Sequence, residues 1–284
     1  MPTRTPRPAT PTPTPAGLRQ QILEDFQALR VPLGPEQLDA VLARAEREGM
    51  SHLDFLRVLI GEQADRRREQ GVAHRIREAR FRDGKTLADF DWQFNAGAID
   101  RVRIEALATA EFVGRRENLV VVGQSGVGKS HIIQAIGQRA CVLGYRVRYA
   151  TSAGVLAELT ASLADQTLSR RLRAYARFDL LILDEFGFDR IERREAQQAA
   201  SLLYKLIDAR SPNRSTALVT NIDFEAWGDY LGDPPLAMAF LDRIVDGAII
   251  VKIKGKSYRA HRAQAAPPST GDPTGGRSRN GKGR

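Results

Sequence analysis

Two different spacings of apolar residues divide this chain. Leu38, Val41, Leu42 and Ala45 recur every three to four residues, the period of one helix face. Gly34-Pro35 opens that run, with proline at a first turn where its missing N–H has no intrahelical partner to lose, and Gly49 closes it. Ser51 followed by Asp54 resembles a capping box, and Leu53, Leu56, Leu59 and Ile60 predict a second apolar stripe. The helix then turns polar and basic. Arg66, Arg67, Arg68, Arg75, Arg77, Arg80 and Arg82 interleave with Glu62, Asp65, Glu69 and Glu78, which suits a solvated face and equally a face for DNA or a partner. After Leu87 the spacing changes. Short β-branched or apolar runs at 119–122, 146–150, 179–183, 216–220 and 248–253 alternate with helical stretches. That alternation predicts an α/β fold, a parallel sheet with helices on both faces.

Candidate chemistry sharpens the picture at the first of those strands. Gly123-Gln124-Ser125-Gly126-Val127-Gly128-Lys129-Ser130 matches the phosphate-binding pattern G-x-x-x-x-G-K-[ST]. It follows an apolar strand and precedes a helix that carries Ile132, Ile133, Ile136 and Ala140 on its buried side, the order such a loop requires. The glycines let backbone N–H groups converge on phosphate oxygens, and the helix adds its positive N-terminal end. Lys129 supplies a charge to the β- and γ-phosphates, and the Ser130 hydroxyl is a magnesium ligand. With His131, residues 123–131 form the predicted ATP contact. Leu180-Leu181-Ile182-Leu183-Asp184-Glu185 is a strand buried on both faces that ends in two acids. The end of such a strand points into the crevice where open α/β sheets bind ligands. Asp184 is expected to hold magnesium, and Glu185 to polarise the attacking water. A third strand, 217–220, delivers Asn221 as a candidate to orient that water. Arg243, on a helix opened by Asp233-Pro234-Pro235, is a candidate finger reaching a neighbouring subunit's γ-phosphate, with a surface ion pair to Asp242 or Asp246 as the plainer reading.

These motifs in this order resemble the IstB/DnaC-like branch of AAA+ ATPases, and most closely its IstB-type transposition helpers. Stretches beyond the phosphate loop carry the resemblance: 85–92 (KTLADFDW), Glu117-Asn118-Leu119, 224–228 (FEAWG), Gly232-Asp233-Pro234, Leu241-Asp242-Arg243 and 255–259 (GKSYR). Two departures are mild. Gln124-Ser125 stands where many relatives have proline, and Asp184-Glu185 is followed by Phe186-Gly187 rather than Leu-Gly. The resemblance implies an AAA+ core with a five-stranded parallel sheet and a small all-α N-terminal domain. It implies ATP with Mg2+ bound between subunits of an oligomer, Asn221 as first sensor, Arg243 as finger and Arg259 as a second sensor. Members of this branch act on DNA. The IstB type assists a transposase, here expected to pair with the N-terminal domain, and the DnaC type loads a replicative helicase.

The expected organisation is a disordered Pro/Thr tail at 1–16, a helical partner-binding domain at 17–82, and a linker with the first core helix at 83–118. The ATPase core follows at 119–263 and a disordered basic tail at 264–284. The chain's 284 residues, 42% hydrophobic, suffice for such a core and a smaller domain. The net charge of +9 says little about the core, because Lys252, Lys254, Lys256, Arg259, Arg262, Arg277, Arg279, Lys282 and Arg284 face only Asp272 near the C-terminus. More telling is a predicted helix at 165–176, where Arg170, Arg171 and Arg173 follow Asp165 with no further acid. The resemblance suggests that it lines a ring interior and touches duplex DNA phosphates, against a merely solvated face. A single cysteine, Cys141, excludes an internal disulfide and a cysteine zinc site. No apolar run approaches about 18 residues, and no apolar stretch follows the first arginines, so the expectation is a cytoplasmic protein without a membrane partner. Three rivals stand beside the ATP-hydrolysing transposition regulator. They are a helicase loader, a nucleotide-gated DNA scaffold without turnover, and a small-molecule kinase, the last disfavoured by Glu185, Asn221 and Arg243. A GTPase lacks its Asn-Lys-x-Asp stretch.

Overall fold

The computed structural model describes residues 14–188 and 193–265. Nearly all of the two expected tails lies outside those residues. The first helix already begins within the expected N-terminal tail: the Thr14 side chain accepts from the Gly17 N–H at 3.3 Å, and Pro15 occupies the first turn. The described chain falls into two compact units, divided between His74 and Arg75.

The first unit is built from α1 (Pro15–Ala28), α2 (Pro35–Glu48) and the greater part of α3 (His52–Ala79). Gly34 caps α2 and Gly49 ends it at φ +59°, a conformation that spares glycine the Cβ penalty. At the start of α3 the Asp54 N–H donates to Ser51 Oγ at 3.2 Å, while the Ser51 hydroxyl donates to the Asp54 carboxylate at 2.7 Å. The core of this unit is Leu33, Leu38, Val41 and Leu59, with Ile22, Leu23, Phe26, Phe55 and Val58 packed around it. The apolar stripe predicted along α3 is therefore corrected. Leu53, Leu56 and Ile60 are 80%, 47% and 56% exposed, and Leu42 is exposed too. This stretch of α3 carries apolar residues on several sides, and of the predicted four only Leu59 joins the face that packs with Phe26 and Val41, namely Phe55, Val58 and Leu59, spaced i, i+3, i+4.

The second unit starts with the last turn of α3. It continues through α4 (Arg101–Leu107), α5 (Glu111–Gly114), β1 (Leu119–Gly123), α6 (Lys129–Val142), β2 (Val147–Thr151), α7 (Ser152–Ala164), α8 (Leu168–Ala176) and β3 (Leu180–Phe186). It ends with α9 (Arg193–Asp208), β4 (Ser215–Thr220), α10 (Trp227–Leu231), α11 (Pro234–Val245), β5 (Ile249–Ile253) and α12 (Tyr258–Ala265). The five strands are all parallel in the order β2-β3-β4-β1-β5. This is a doubly wound α/β core with a phosphate-loop motif after β1, preceded in the chain by a small helical unit. Burial is nearly continuous along β1, β3 and β4, as a sheet covered on both faces requires, while successive side chains point to opposite faces. Leu119, Val121, Leu180, Ile182, Ala217 and Val219 pack with α6 on one face. Val120, Val122, Leu181, Leu183 and Leu218 pack with α7, α9 and α11 on the other. The second unit also takes up Ala79 and Phe81, because both pack into the α6-side core. Residues 75–82, grouped by sequence with the helical domain, thus belong to the second unit. Among the described residues, no helix is long and apolar enough to cross a membrane.

Candidate functional site

The carboxyl ends of β1, β3 and β4 open on one cavity of about 770 Å³. It is lined by Ser125–His131 of the loop after β1, by Asp184 and Glu185 of β3, and by Thr220 and Asn221 at the end of β4. Phe90, Phe94 and Asn95 close it from the segment before α4, and Tyr258, Arg259 and Arg262 close it from α12. The volume lies in the range of sites that enclose a small organic ligand.

The loop has the geometry that its glycines predict. Gly126 and Gly128 sit at φ +83° and +98°. A Cβ at Gly128 would come within 2.8 Å of the Phe90 ring, and one at Gly126 would collide with Ser257. The Tyr258 N–H donates to the Gly126 carbonyl at 2.9 Å, so the start of α12 rests on the loop. Lys129 is buried, and its ammonium donates to the carbonyls of Gly123 (2.6 Å) and Gln124 (2.8 Å). Burial holds that ammonium below the ordinary lysine range. Asp184 acts against this, and Arg259 adds to it. His131 also lines the cavity; its Nε2 is 2.7 Å from the Thr86 carbonyl, and its ring stands edge-on to Phe90 at 5.1 Å.

Asp184 is 1% exposed. Its Oδ2 accepts from the Tyr149 hydroxyl at 2.8 Å, and its Oδ1 accepts from the Glu185 N–H at 2.8 Å. Burial and the neighbouring Asp184 carboxylate push the Tyr149 phenol far above its ordinary range, so it remains a donor. The β3–β4 register shifts between Leu183 and Phe186, and Glu185 stands at φ +60°. A bulge of this kind re-aims a side chain, and a non-glycine residue in the left-handed region is strain of the sort found at functional sites. Glu185 Oε1 accepts from Arg82 Nη1 at 2.9 Å.

The residues present fit a magnesium nucleotide. The donor set is the glycine-rich loop with its N–H groups, a buried lysine that turns onto its own loop carbonyls, a serine at the helix start and a carboxylate held by two donors. Of the predicted residues, the structure brings Ser125–His131, Asp184, Glu185, Asn221 and Arg259 to one cavity. Gly123 and Gln124 enter only through the carbonyls that hold Lys129. Arg243 does not line the cavity. It pairs with Asp208 at 3.3 Å, not with Asp242 or Asp246, because α11 packs on α9. Arg170, Arg171 and Arg173 are exposed on α8, opposite Leu168, Leu172 and Tyr175, which pack into the core.

Sequence reasoning missed Tyr149, Arg82 and Asn118. Asn118 Nδ2 donates to the Arg243 carbonyl at 3.1 Å, and its Oδ1 accepts from the Thr216 N–H at 2.9 Å, joining α11 to β4. Only Asn118 carried a signal, its place just before the phosphate-loop strand.

The sequence pattern of the family described as IstB-like ATP binding protein matches residues 26–266. An IS21 insertion-sequence protein of Pseudomonas aeruginosa, named as ATP-binding, is 34% identical over 81% of this chain and 84% of its own. The corresponding IS232 protein of Bacillus thuringiensis subsp. berliner is 31% identical over 84% of this chain and 94% of its own. Among solved structures, DnaI is similar over 60% of this chain and 91% of its own, at 22% identity and a TM-score of 0.47.

Proposed function

The chain belongs to the family of IstB-like ATP-binding proteins, and from that premise we propose that it hydrolyses ATP to regulate DNA transposition, assembling on duplex DNA and recruiting or activating a transposase. The observation that carries the hydrolytic part is the meeting of Lys129, Ser130, Asp184, Glu185 and Asn221 at one cavity. A kinase needs no carboxylate aimed at water beside its phosphate loop, whereas hydrolysis does.

In this reading the N–H groups of residues 125–130 cradle the phosphates, and Lys129 leaves the Gly123 and Gln124 carbonyls to meet the γ-phosphate. Ser130 and Asp184 would hold magnesium, which when bound neutralises charge on the β- and γ-phosphates. Tyr149 keeps one Asp184 oxygen oriented, a supporting contact of the kind that sharpens a metal site. Glu185 accepts the proton of the attacking water, and Asn221 orients that water. Arg259, at the cavity wall, answers the γ-phosphate as second sensor. Arg243 leaves Asp208 to act on a neighbouring subunit's nucleotide, which makes self-association part of the mechanism.

The insertion-sequence relatives support the transposition context, and the exposed arginines of α8 supply phosphate contacts to DNA. The helical first unit is the proposed transposase-binding domain. The test is ATP turnover alone, with duplex DNA and with single-stranded DNA, on wild type and on Arg170→Glu/Arg171→Glu/Arg173→Glu. Stimulation mainly by duplex, lost in the triple variant together with a flatter salt dependence of binding, is expected. Stimulation mainly by single strands would point to a helicase loader instead, and unchanged DNA binding by the triple variant would remove α8 from the DNA interface.

A further inference from the structure

Arg82 is the third residue beyond α3, and its guanidinium is the group that meets Glu185. The pair joins segments 103 residues apart at 2.9 Å, and the Glu185 hydrogen bond raises the Arg82 pKa further above its already high value. Arg82 is held there by its backbone. The N–H groups of Arg82 and Asp83 both donate to Gln134 Oε1, at 3.0 and 3.2 Å. Gln134 is 1% exposed, and its Nε2 donates to the Ser130 carbonyl at 3.1 Å. One turn along α6, Gln138 donates to the carbonyls of Asp83 (3.3 Å) and Lys85 (2.9 Å). Phe81 fills the space over Gly137, where a Cβ would approach its ring to 2.8 Å, and lies 6.2 Å from the Tyr149 ring. A continuous set of contacts therefore runs from Ser130 through Gln134 to Arg82 and on to Glu185.

We propose that Arg82 is a positioning residue that restrains hydrolysis by occupying the Glu185 carboxylate, and that it releases Glu185 when segment 80–85 shifts along α6. The inference rests on the reading of Glu185 as the water-polarising base. An oxygen that accepts from a guanidinium offers less to a water proton, so the pair must loosen before Glu185 works. Arg82 touches no loop residue that would contact phosphate, so its loss acts on turnover and not on nucleotide affinity. Both partners are partly exposed, which limits the restraint to about five-fold in rate.

The test is steady-state ATP hydrolysis by the full chain with Arg82→Gln, Arg82→Ala and Arg82→Lys, beside Glu185→Gln and the Arg82→Gln/Glu185→Gln pair. Arg82→Gln and Arg82→Ala should raise kcat about five-fold with KM for ATP unchanged, and Arg82→Lys, which keeps the charge but not the fork, should fall between them and wild type. The double variant should be as slow as Glu185→Gln alone, since the restraint acts only through that carboxylate. A kcat at or below wild type in both Arg82→Gln and Arg82→Ala would overturn the proposal, as would a changed KM at constant kcat. Arg82→Lys keeps the aliphatic stem and the charge, so it still reads the restraint if the larger truncations fold poorly. If Glu185→Gln itself keeps wild-type turnover, the reading of Glu185 fails first. If Glu185→Gln is inactive and the Arg82 variants are unaltered, this inference fails alone.

Discussion

At Gly128 two separate demands fall on one atom. The backbone stands at φ +98°, and the missing Cβ leaves room for the Phe90 ring. Alanine there meets both a strained conformation and an aromatic side chain that has to move. Gly128→Ala is therefore expected to weaken ATP binding by at least about ten-fold and to cost about 1–2 kcal/mol of stability. Nucleotide titration and urea unfolding of the same variant measure the two effects. Wild-type affinity would mean that Phe90 yields freely and that the loop tolerates a side chain. The phosphate loop, Asp184 and Glu185 were legible in the sequence because their chemistry is written in consecutive residues. Their partners were not. Tyr149 reaches Asp184 across 35 positions and Arg82 reaches Glu185 across 103, and no spacing rule joins residues so far apart. The motif placed His131 at the cavity, where it stands, but did not show the contact of its ring nitrogen with the Thr86 carbonyl 45 positions away.

The strands of the second unit were readable as elements because a sheet packed on both faces gives short, nearly continuous apolar runs, set here between helical stretches. The buried side of α6 was equally clear, with Ile132, Ile133 and Ile136 wholly enclosed. On α3 the same reasoning caught Leu59 but not Phe55 and Val58, since its first turns carry apolar residues on several sides and only the cluster with Phe26 and Val41 decides between them. What fixes α8 was also hidden. Arg210, 1% exposed, donates to the carbonyls of Tyr175, Phe178 and Ser215 and to Thr216 Oγ1. It thereby satisfies the end of α8 and the start of β4 together. Burial lowers its pKa, and these acceptors offset the cost of enclosing the charge. Arg210→Met keeps much of the volume but strands buried acceptors, so a loss of about 3 kcal/mol is expected in urea unfolding. A loss under about 0.5 kcal/mol, the range of ordinary surface changes, would show that water or local rearrangement replaces the guanidinium.

At the scale of the whole molecule, the second unit carries the nucleotide site at its strand ends and the arginine-rich α8 on its surface. The parallel sheet and the small helical unit followed from periodicity, and the AAA+ assignment from the motifs. The division at His74 did not, because Ala79 and Phe81 look like helix residues in sequence and become core residues only when α6 packs on them. The central claim is that this cavity hydrolyses ATP through Glu185. The most direct measurement is phosphate release by wild type, Lys129→Ala and Glu185→Gln, with ATP binding measured on the same samples. The account predicts that Lys129→Ala loses binding, whereas Glu185→Gln binds ATP as wild type does and loses about 100-fold or more in turnover. Undiminished turnover by Glu185→Gln, or full ATP binding by Lys129→Ala, would contradict it.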